Sequence, residues 1–280
     1  MKLSICIVTW NCRDLLRACL ESIPRRDDFE TIVVDNASND GTAQMVEQEF
    51  PWVRLIANDQ NQLYAKGNNQ AFETAMGEFV LMLNPDTELE PDALDNALAV
   101  LDEHPDVGAV GGLQRFPDGT IQPSVRGFPT PSALFYETIG LARIFPRSKK
   151  LNVYRMRWFK YDQEIEVDQP MATFLMTRRI VIEQVGGMDE RFPLFFNDVD
   201  WCYRVRQAGW KILFSPNVRL VHHGGASTSQ ARKWAIRESH RSLEEFYRKH
   251  YQTRLWPSLY WTIVGLIRIT GFLRPLKAKN

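Results

Sequence analysis

The chain has 280 residues, of which 44% are hydrophobic, so it is long enough for one large domain or for one domain with an appendage. Its 34 basic residues balance 34 acidic ones, and this zero net charge gives no indication of nucleic-acid binding. The four cysteines, Cys6, Cys12, Cys19 and Cys202, have neither a CxxC pair nor the spacing of a zinc site, which predicts buried thiols in a reducing compartment. An apolar strand begins directly after Lys2, which predicts that the chain has no signal peptide.

Apolar strand segments alternate with helical segments through the first 112 residues. The strands are "KLSICIVTW", "TIVVD", "VRLIAN", "EFVLMLN" and "VGAVGG", and the helices between them are "DLLRACLESI", "TAQMVEQEF", residues 65–76 and "PDALDNALAVLDEH". This alternation predicts a doubly wound, mostly parallel α/β sheet, in which ligands bind beyond the carboxyl ends of the strands. The polar residues at those ends are Thr9, Trp10, Asn11, Asp35, Asn36, Ser38, Asn58, Asp59, Asn84 and Asp86.

The second half of the chain is less regular. Residues 113–170 are rich in proline, arginine and aromatic residues, which predicts long loops with a short helix near 131–143. "TFLMTRR" predicts a strand, and "FFNDVDWCYRVRQAG" predicts a helix that begins near Asp198 and ends at Gly209. "KILFSP" and "VRLVHHGG" predict two short strands, and "ARKWAIRESHRSLEEFYRKHY" predicts an amphipathic helix.

Two carboxylates at strand ends each fit two interpretations. Asp35 can accept hydrogen bonds from a ribose or a base, or it can form an Asx turn in the turn-rich "DNASNDGT". Asp86 in "NPD" can bind a divalent cation that holds a diphosphate, or it can form a turn before the next helix. Neither GxGxxG nor GxxxxGK[ST] follows the first strand, which disfavours a dinucleotide or a P-loop nucleotide.

Two further pairs of residues carry acid–base or ligand chemistry. Asp198 and Asp200 in "FFNDVDW" can cap a helix start, or one of them can accept a proton from an attacking hydroxyl. His222 and His223 in "VHHGGAST" can be ordinary loop histidines, or one of them can bind a metal beside glycines that let a ligand approach the backbone.

The last segment, "LWPSLYWTIVGLIRITGFLRPLK", is apolar and aromatic, but Pro257 and Arg268 interrupt it. It only just reaches the length of about 20 apolar residues that a spanning helix needs. Its composition predicts a helix that lies in the membrane interface; the alternative is a helix that covers a hydrophobic patch of its own domain or of a twin subunit. No acidic residue follows Glu245, whereas seven basic residues do: Arg248, Lys249, Arg254, Arg268, Arg274, Lys277 and Lys279.

Six segments, in this order, resemble the family 2 glycosyltransferases, which have the GT-A fold, and most nearly the bacterial rhamnosyltransferase-like branch. They span about residues 3 to 229: "SICIVTWN", "TIVVDNASNDGT", "NQLYAKGNNQAF", "FVLMLNPDTEL", "QPMATFLMTRRIVIEQVGGMDERFPLFFNDVDWCYRVRQAGWKILFSP" and "VHHGGAST". The resemblance implies an inverting, metal-dependent glycosyltransferase with a GT-A domain over residues 1–250 and a tail over 251–280. Within the domain it implies a nucleotide-sugar half at about 1–112, an acceptor and catalytic half at about 113–230, and the amphipathic helix at about 231–250.

The resemblance also implies roles at matching positions. Thr9 and Asn11 would line the nucleotide site, Asp35 would contact a uracil- or thymine-type nucleoside, and Asn68 in "AKGNN" would lie beside the nucleotide-sugar.

The metal site and the base follow from the same resemblance. "NPD" stands where the family has Asp-x-Asp, so Asn84 and Asp86 would lie at the nucleotide-sugar, and Asp86 would bind Mg²⁺ or Mn²⁺ with His222. Asp198 in "NDVD" would be the general base. Asn84 replaces the first acid of Asp-x-Asp, and Asn197 stands before the base where many relatives carry Glu. The first change leaves one strong metal ligand in the motif, so a weak metal site without the nucleotide-sugar is expected.

The branch resemblance favours dTDP-rhamnose as the donor, with UDP-sugars as rivals. The basic, aromatic tail suits a lipid-linked saccharide acceptor in cell-surface polysaccharide synthesis, with the protein in the cytoplasm on the inner face of the bacterial plasma membrane; a homodimer is left open. The alternatives are a nucleotidyltransferase and a non-catalytic nucleotide-sugar-binding protein. The first would carry a Gly- and Lys/Arg-rich loop after the first strand, and "VTWNCRD" contains no glycine.

Overall fold

The computed structural model describes residues 1–224 and 232–277. Three predicted segments therefore lie partly outside the described residues: "VHHGGAST" at residues 225–228, the helix at 231–250 at its first residue, and the tail at its last three residues. The strands are β1 (Leu3–Thr9), β2 (Phe29–Asp35), β3 (Arg54–Ala57), β4 (Phe79–Leu83), β5 (Thr87–Leu89), β6 (Val107–Arg115), β7 (Ile121–Gln122), β8 (Val125–Arg126), β9 (Ile165–Glu166), β10 (Gln169–Pro170), β11 (Phe174–Arg178) and β12 (Lys211–His222). The helices are α1 (Arg13–Glu21), α2 (Thr42–Glu49), α3 (Leu63–Thr74), α4 (Ala93–Glu103), α5 (Pro131–Thr138), α6 (Leu141–Ile144), α7 (Arg179–Val185), α8 (Asn197–Gln207), α9 (Arg232–His250) and α10 (Pro257–Lys277).

One ten-stranded sheet runs through the domain, and its main path has the order β3-β2-β1-β4-β11-β6-β12-β5. Parallel pairs join β1 to β2 and β4, β2 to β3, and β6 to β12, whereas β11 and β5 are antiparallel to their neighbours. The prediction of a mostly parallel α/β sheet is therefore confirmed. Every residue of β1 and β4 is buried, as expected of apolar strands that are covered on both faces.

The two faces of the sheet belong to two apolar layers. Ile5 and Ile7 pack in the layer that contains α1, α2 and α4, whereas Cys6 and Val8 pack in the layer that contains α3, α8, α9 and α10. This division follows from the alternation of side chains along a strand. All four cysteines are buried and none forms a disulfide, as predicted.

Two features of the sheet differ from the sequence expectation. "KILFSP" and "VRLVHHGG" are not two short strands, because β12 is one strand whose register against β6 shifts between Ser215 and Arg219. Pro216 has no N–H to donate to a ladder, and the irregularity accommodates it within the strand. β5 was not predicted as a strand; its three residues pair with the end of β12.

The helix α10 packs along α9. Arg268 pairs with Glu244, and Gly271 lies against His240, so the two helices run antiparallel. A Cβ at Gly271 would come within 2.9 Å of the Cβ of His240, so this close approach requires glycine. Among the described residues, no helix has the length and apolarity needed to cross a membrane.

Candidate active site

A cavity of about 560 Å³ opens beyond the carboxyl ends of β1 and β4, and this volume is typical of small-molecule sites. We divide its lining residues into two groups by the segments that supply them. The first group, named the strand-end wall, consists of Val8, Thr9, Trp10, Cys12, Asn36, Asn61, Leu63, Tyr64, Asn84, Pro85, Asp86 and His222. The second group, named the loop wall, consists of Met171, Ala172, Thr173, Leu194, Phe195, Phe196, Asn197, Asp198 and Trp234. Of the predicted site residues, Thr9, Asn84, Asp86, Asp198 and His222 therefore line one cavity.

Two buried oxygen atoms beside the strand-end wall have no partner within the described residues. They are Oγ1 of Thr9 and Oδ1 of Asp35, which are register neighbours at the ends of β1 and β2. The other carboxylate oxygen of Asp35 accepts a hydrogen bond of 3.1 Å from the backbone N–H of Ser38. One carboxylate oxygen of Asp35 thus forms the turn, and the other can accept a hydrogen bond. Because buried polar atoms nearly always have partners, these two oxygens are candidate acceptors for N–H or O–H groups of a ligand. Thr9 lines the cavity, whereas Asp35 does not.

The side chains of Asn11 and Asn68 do not line the cavity. Asn11 has a φ of 51°, and its Oδ1 accepts a 2.9 Å bond from the N–H of Asn39, which ties the loop after β1 to the loop after β2. Asn68 is buried on α3 and donates to the carbonyl of Tyr64 at 2.9 Å. These contacts position the strand-end wall, and direct contact of either residue with a nucleotide-sugar stays a prediction.

Asp86 and His222 meet although they are far apart in sequence. β5 pairs with β12 so that Thr87 lies opposite His222, and this register brings Oδ1 of Asp86 within 3.3 Å of Nε2 of His222. Both side chains are buried. Nδ1 of His222 lies 2.8 Å from Oε1 of Gln122, which orients the ring with Nε2 towards Asp86. His223 instead contacts Glu88 at 2.6 Å, so His222 is the histidine that shares the cavity with Asp86.

Asp86 and His222 fit a site for a divalent cation whose coordination is completed by a bound phosphate compound. One carboxylate and one imidazole converge, which suits a cation that takes its other ligands from phosphate oxygens and water. Within residues 1–224 and 232–277, no group of three His, Cys, Asp or Glu side chains could hold a metal ion. The protein donors alone are therefore few, and we expect the cation to bind weakly without a diphosphate.

Asp198 lies in the first turn of α8 and lines the loop wall. Its oxygens accept hydrogen bonds from the N–H of Val199 at 2.8 Å and of Ala172 at 3.4 Å. Burial raises the pKa of Asp198 above the usual range of a carboxyl, and it outweighs these hydrogen bonds, which lower the pKa. A carboxyl with a raised pKa in a cavity is a candidate proton acceptor.

Asp200, two residues further on, has a different environment. It is fully buried and contacts Arg204 at 2.9 Å, Lys249 at 2.7 Å and His250 at 2.7 Å. Burial opposes ionisation of Asp200, but the hydrogen bonds from His250 and Lys249 prevail and lower its pKa. Asp200 therefore fastens α9 to α8, and of the two acids only Asp198 lines the cavity.

The family profile described as "Glycosyl transferase family 2" matches residues 4–168. The chain belongs to glycosyltransferase family 2. An N-acetylglucosaminyl-diphospho-decaprenol L-rhamnosyltransferase of Mycobacterium tuberculosis is 29% identical over 263 residues, which are 90% of this chain and 85% of the relative. An O-antigen biosynthesis protein of Myxococcus xanthus is 30% identical over 240 residues, which are 81% of this chain and 18% of that protein. The predicted membership and the resemblance to rhamnosyltransferases are confirmed.

Solved structures show the fold of this glycosyltransferase. A mannosyltransferase from Pyrobaculum calidifontis in complex with GDP-Man and Mn²⁺ has a TM-score of 0.62 at 20% identity, over 98% of this chain and 70% of that one. TarS of Staphylococcus aureus in complex with UDP has a TM-score of 0.56 at 18% identity, over 100% of this chain and 76% of that one. The predictions of the GT-A fold and of a nucleotide-sugar-dependent glycosyltransferase are confirmed, and the nucleotidyltransferase alternative is not supported.

Three site residues of the glycosyltransferase were not predicted from the sequence. Tyr64 donates from its hydroxyl to the carbonyl of Ala172 at 3.2 Å and so joins the two walls. Gln122 orients His222, and Trp234 on α9 completes the loop wall. None of them stands at a predicted strand end, and only the folded chain brings them to the cavity.

Proposed function

We propose that this glycosyltransferase moves a sugar from a nucleoside-diphosphate donor to a hydroxyl of a lipid-linked saccharide, with inversion at the anomeric carbon. The observation that carries the proposal is one cavity with Asp86 and His222 on one wall and Asp198 on the other. The sequence similarity to an L-rhamnosyltransferase supports dTDP-rhamnose as the donor, and a UDP-sugar is the rival.

The donor lies against the strand-end wall in this proposal. The unpaired oxygens of Thr9 and Asp35 accept hydrogen bonds from the nucleoside, and Asp86 with His222 faces the diphosphate. A Mg²⁺ or Mn²⁺ ion held by Asp86 and His222 would stabilise the negative charge that grows on the departing nucleoside diphosphate. Structural neighbours that contain Mn²⁺ support this choice of cation.

The acceptor lies against the loop wall. Asp198 takes the proton of the attacking hydroxyl while the bond between the anomeric carbon and the diphosphate breaks on the opposite face of the sugar. This single displacement inverts the anomeric configuration. The raised pKa of Asp198 makes it a better proton acceptor than an exposed carboxylate.

The helix α10 supports a peripheral place at the inner membrane face. Tyr260, Val264 and Ile267 bury one side of it, whereas the other side exposes large apolar side chains. Those exposed include Leu259, Trp261, Leu266, Ile269, Phe272 and Leu273, and the exposed Trp256 directly precedes the helix. An apolar face with flanking arginines and lysines suits the headgroup region of an anionic bilayer.

The membrane contact is tested with vesicles. We expect the triple variant Trp256→Ser, Trp261→Ser and Phe272→Ser to lose co-sedimentation with phosphatidylglycerol vesicles while donor binding is retained. Met76→Ser, at an exposed apolar residue elsewhere, is the control. Equal sedimentation of the triple variant and the wild type would contradict the membrane contact and would mean that α10 only covers a surface of its own domain.

The transfer is tested with a donor panel. dTDP-rhamnose, UDP-N-acetylglucosamine, UDP-galactose and GDP-mannose are each incubated with Mn²⁺ and an N-acetylglucosaminyl-diphospho-lipid analogue, and the product is examined by NMR. We expect one donor to give product of inverted configuration. Product of retained configuration would rule out the single displacement, and transfer from none of the donors would count against the function as a whole.

A further inference from the structure

Arg126 on β8 is half-buried and forms no ion pair within the described residues. The ring centroid of Tyr154 lies 6.0 Å from its guanidinium carbon. Other arginines of the same half do contact carboxylates: Arg155 pairs with Glu137 at 2.9 Å, and Arg206 pairs with Glu166 at 2.5 Å. An unpaired cation that is partly removed from water is costly unless a ligand neutralises it.

The position of Arg126 relates it to the acceptor side of the cavity. β8 pairs with β10 so that Arg126 lies opposite Gln169, and β10 leads directly into Met171 and Ala172 of the loop wall. The N–H of Ala172 contacts Asp198. Burial is the largest influence on the pKa of Asp198 and raises it. The positive charge of Arg126 acts in the opposite direction and lowers this pKa by a smaller amount. The pairing of β8 with β10 therefore relates Arg126 to the segment that contacts Asp198, and the two side chains form no ion pair within the described residues.

We propose that Arg126 binds an anionic group of the acceptor, namely the diphosphate that links its sugar to the lipid. The inference rests on the proposed function and deepens it. In a glycosyl-diphosphate acceptor the attacked hydroxyl and the diphosphate are substituents of the same sugar ring, so they reach two neighbouring protein groups at once. Asp198 receives the hydroxyl, and Arg126 receives the diphosphate.

Separate sites for two diphosphates follow from this assignment. The donor diphosphate faces Asp86 and His222 on the strand-end wall, and the acceptor diphosphate faces Arg126 beyond the loop wall. A planar guanidinium matches phosphate oxygens with two parallel hydrogen bonds, which a lysine ammonium cannot do. Arg126 is thus a specificity and positioning residue that favours phosphorylated acceptors over neutral glycosides.

The test compares two acceptors that differ in charge. Octyl N-acetylglucosaminide is the neutral acceptor, and an N-acetylglucosaminyl-diphospho-octyl analogue is the charged one. We expect Arg126→Gln to raise the KM for the charged acceptor about tenfold to a hundredfold, as loss of a charge-assisted hydrogen bond does. The KM for the neutral acceptor and for the donor should change less than about twofold, and Arg126→Lys should be intermediate.

A matched control is Arg143→Gln, at an exposed arginine of the same half; it should change neither KM. Equal effects of Arg126→Gln on both acceptors, or none on either, would overturn the inference while transfer by the wild type still supports the proposed function. If the wild type transfers no sugar, calorimetric titration with the charged analogue separates the two ideas. Weaker binding by Arg126→Gln would then sustain the anion site, and unchanged binding would overturn it.

Discussion

The two walls of the cavity are built by different means. Sheet register fixes the strand-end wall, because Thr9 lies opposite Asp35 and His222 lies opposite Thr87. The loop wall has no such ladder at Asp198. Its carboxylate accepts hydrogen bonds from the N–H groups of Val199 and Ala172, and the ion pairs of Asp200 hold the helix α8 on which it lies. A rigid wall suits the shared nucleotide portion of donors, whereas a wall of loops can vary between acceptors.

The sharpest contrast between the walls is catalytic. We expect Asp198→Asn to lower kcat by about 10²–10⁴-fold with little change in the donor KM, because the proposal assigns the base to the loop wall and donor binding to the strand-end wall. Steady-state kinetics with the preferred donor measures both constants. Asp162→Asn, at an exposed carboxylate, serves as the control. A kcat near that of the wild type would remove Asp198 from the role of base.

The second contrast is the stability of the loop wall. Asp200→Ala removes a fully buried carboxylate that Arg204, Lys249 and His250 contact, so we expect it to lower the free energy of unfolding by about 3–5 kcal/mol. Arg268→Ala breaks the exposed pair with Glu244 on the same helix α9 and should lower it by only about 0–1 kcal/mol. Urea denaturation measures both. Similar losses in the two variants would show that the Asp200 network is not the main anchor of α9.

The third contrast concerns the cation. We expect Asp86→Ala to raise the Mn²⁺ concentration for half-maximal activity at least about tenfold, because the loss of one of two protein donors weakens the site. Glu88→Ala removes the neighbouring acid that contacts His223 and should leave this concentration unchanged. An unchanged Mn²⁺ requirement of Asp86→Ala would mean that Asp86 only forms a turn.

The dependence of kcat on pH should report the pKa of Asp198 on the loop wall. Because burial raises the pKa of Asp198, the base becomes protonated, and kcat falls, at a pH above the ordinary carboxyl value of about 3.9. The acid limb of the kcat profile locates this pKa. A limb at or below the ordinary value would contradict the environment described for Asp198.

The smallest expected effect is a gain in the stability of Asp198→Asn, the same variant that loses activity. A carboxyl whose pKa is higher in the folded than in the unfolded chain destabilises the fold at pH values above the unfolded pKa, where it must be ionised. Asp198→Asn removes this cost, and we expect it to raise the free energy of unfolding at neutral pH. The gain should vanish below the unfolded pKa. Urea denaturation at pH 7 and pH 3.5 checks both statements, and a loss of stability at pH 7 would refute the first.

The sequence predicted the first half of the fold well because its strands and helices are marked by local periodicity. β1, β2, β3, β4 and β6, together with the polar residues after β1, β2 and β4, lie where the pattern places them. The second half depends on contacts between distant segments. Pro216 made β12 look like two strands, and the three residues of β5 are too few for a pattern.

The site residues could also be predicted only in part, because some of them depend on contacts between distant segments. Asp86 and Asp198 could be proposed from their motifs, but the choice of His222 over His223 needed the pairing of β5 with β12. The difference between Asp198 and Asp200 needed Lys249 and His250, which reach Asp200 only after α9 has packed.

The antiparallel packing of α10 on α9 has a consequence for a substrate that carries a hydrocarbon chain. Because Gly271 lies against His240, the end of α10 runs towards the end of α9 that bears Trp234 at the cavity. The exposed side chains of Phe272 and Leu273 therefore lie at the cavity end of the helix pair. If the acceptor is lipid-linked, as proposed, its hydrocarbon chain would meet apolar side chains at this end of the helix pair.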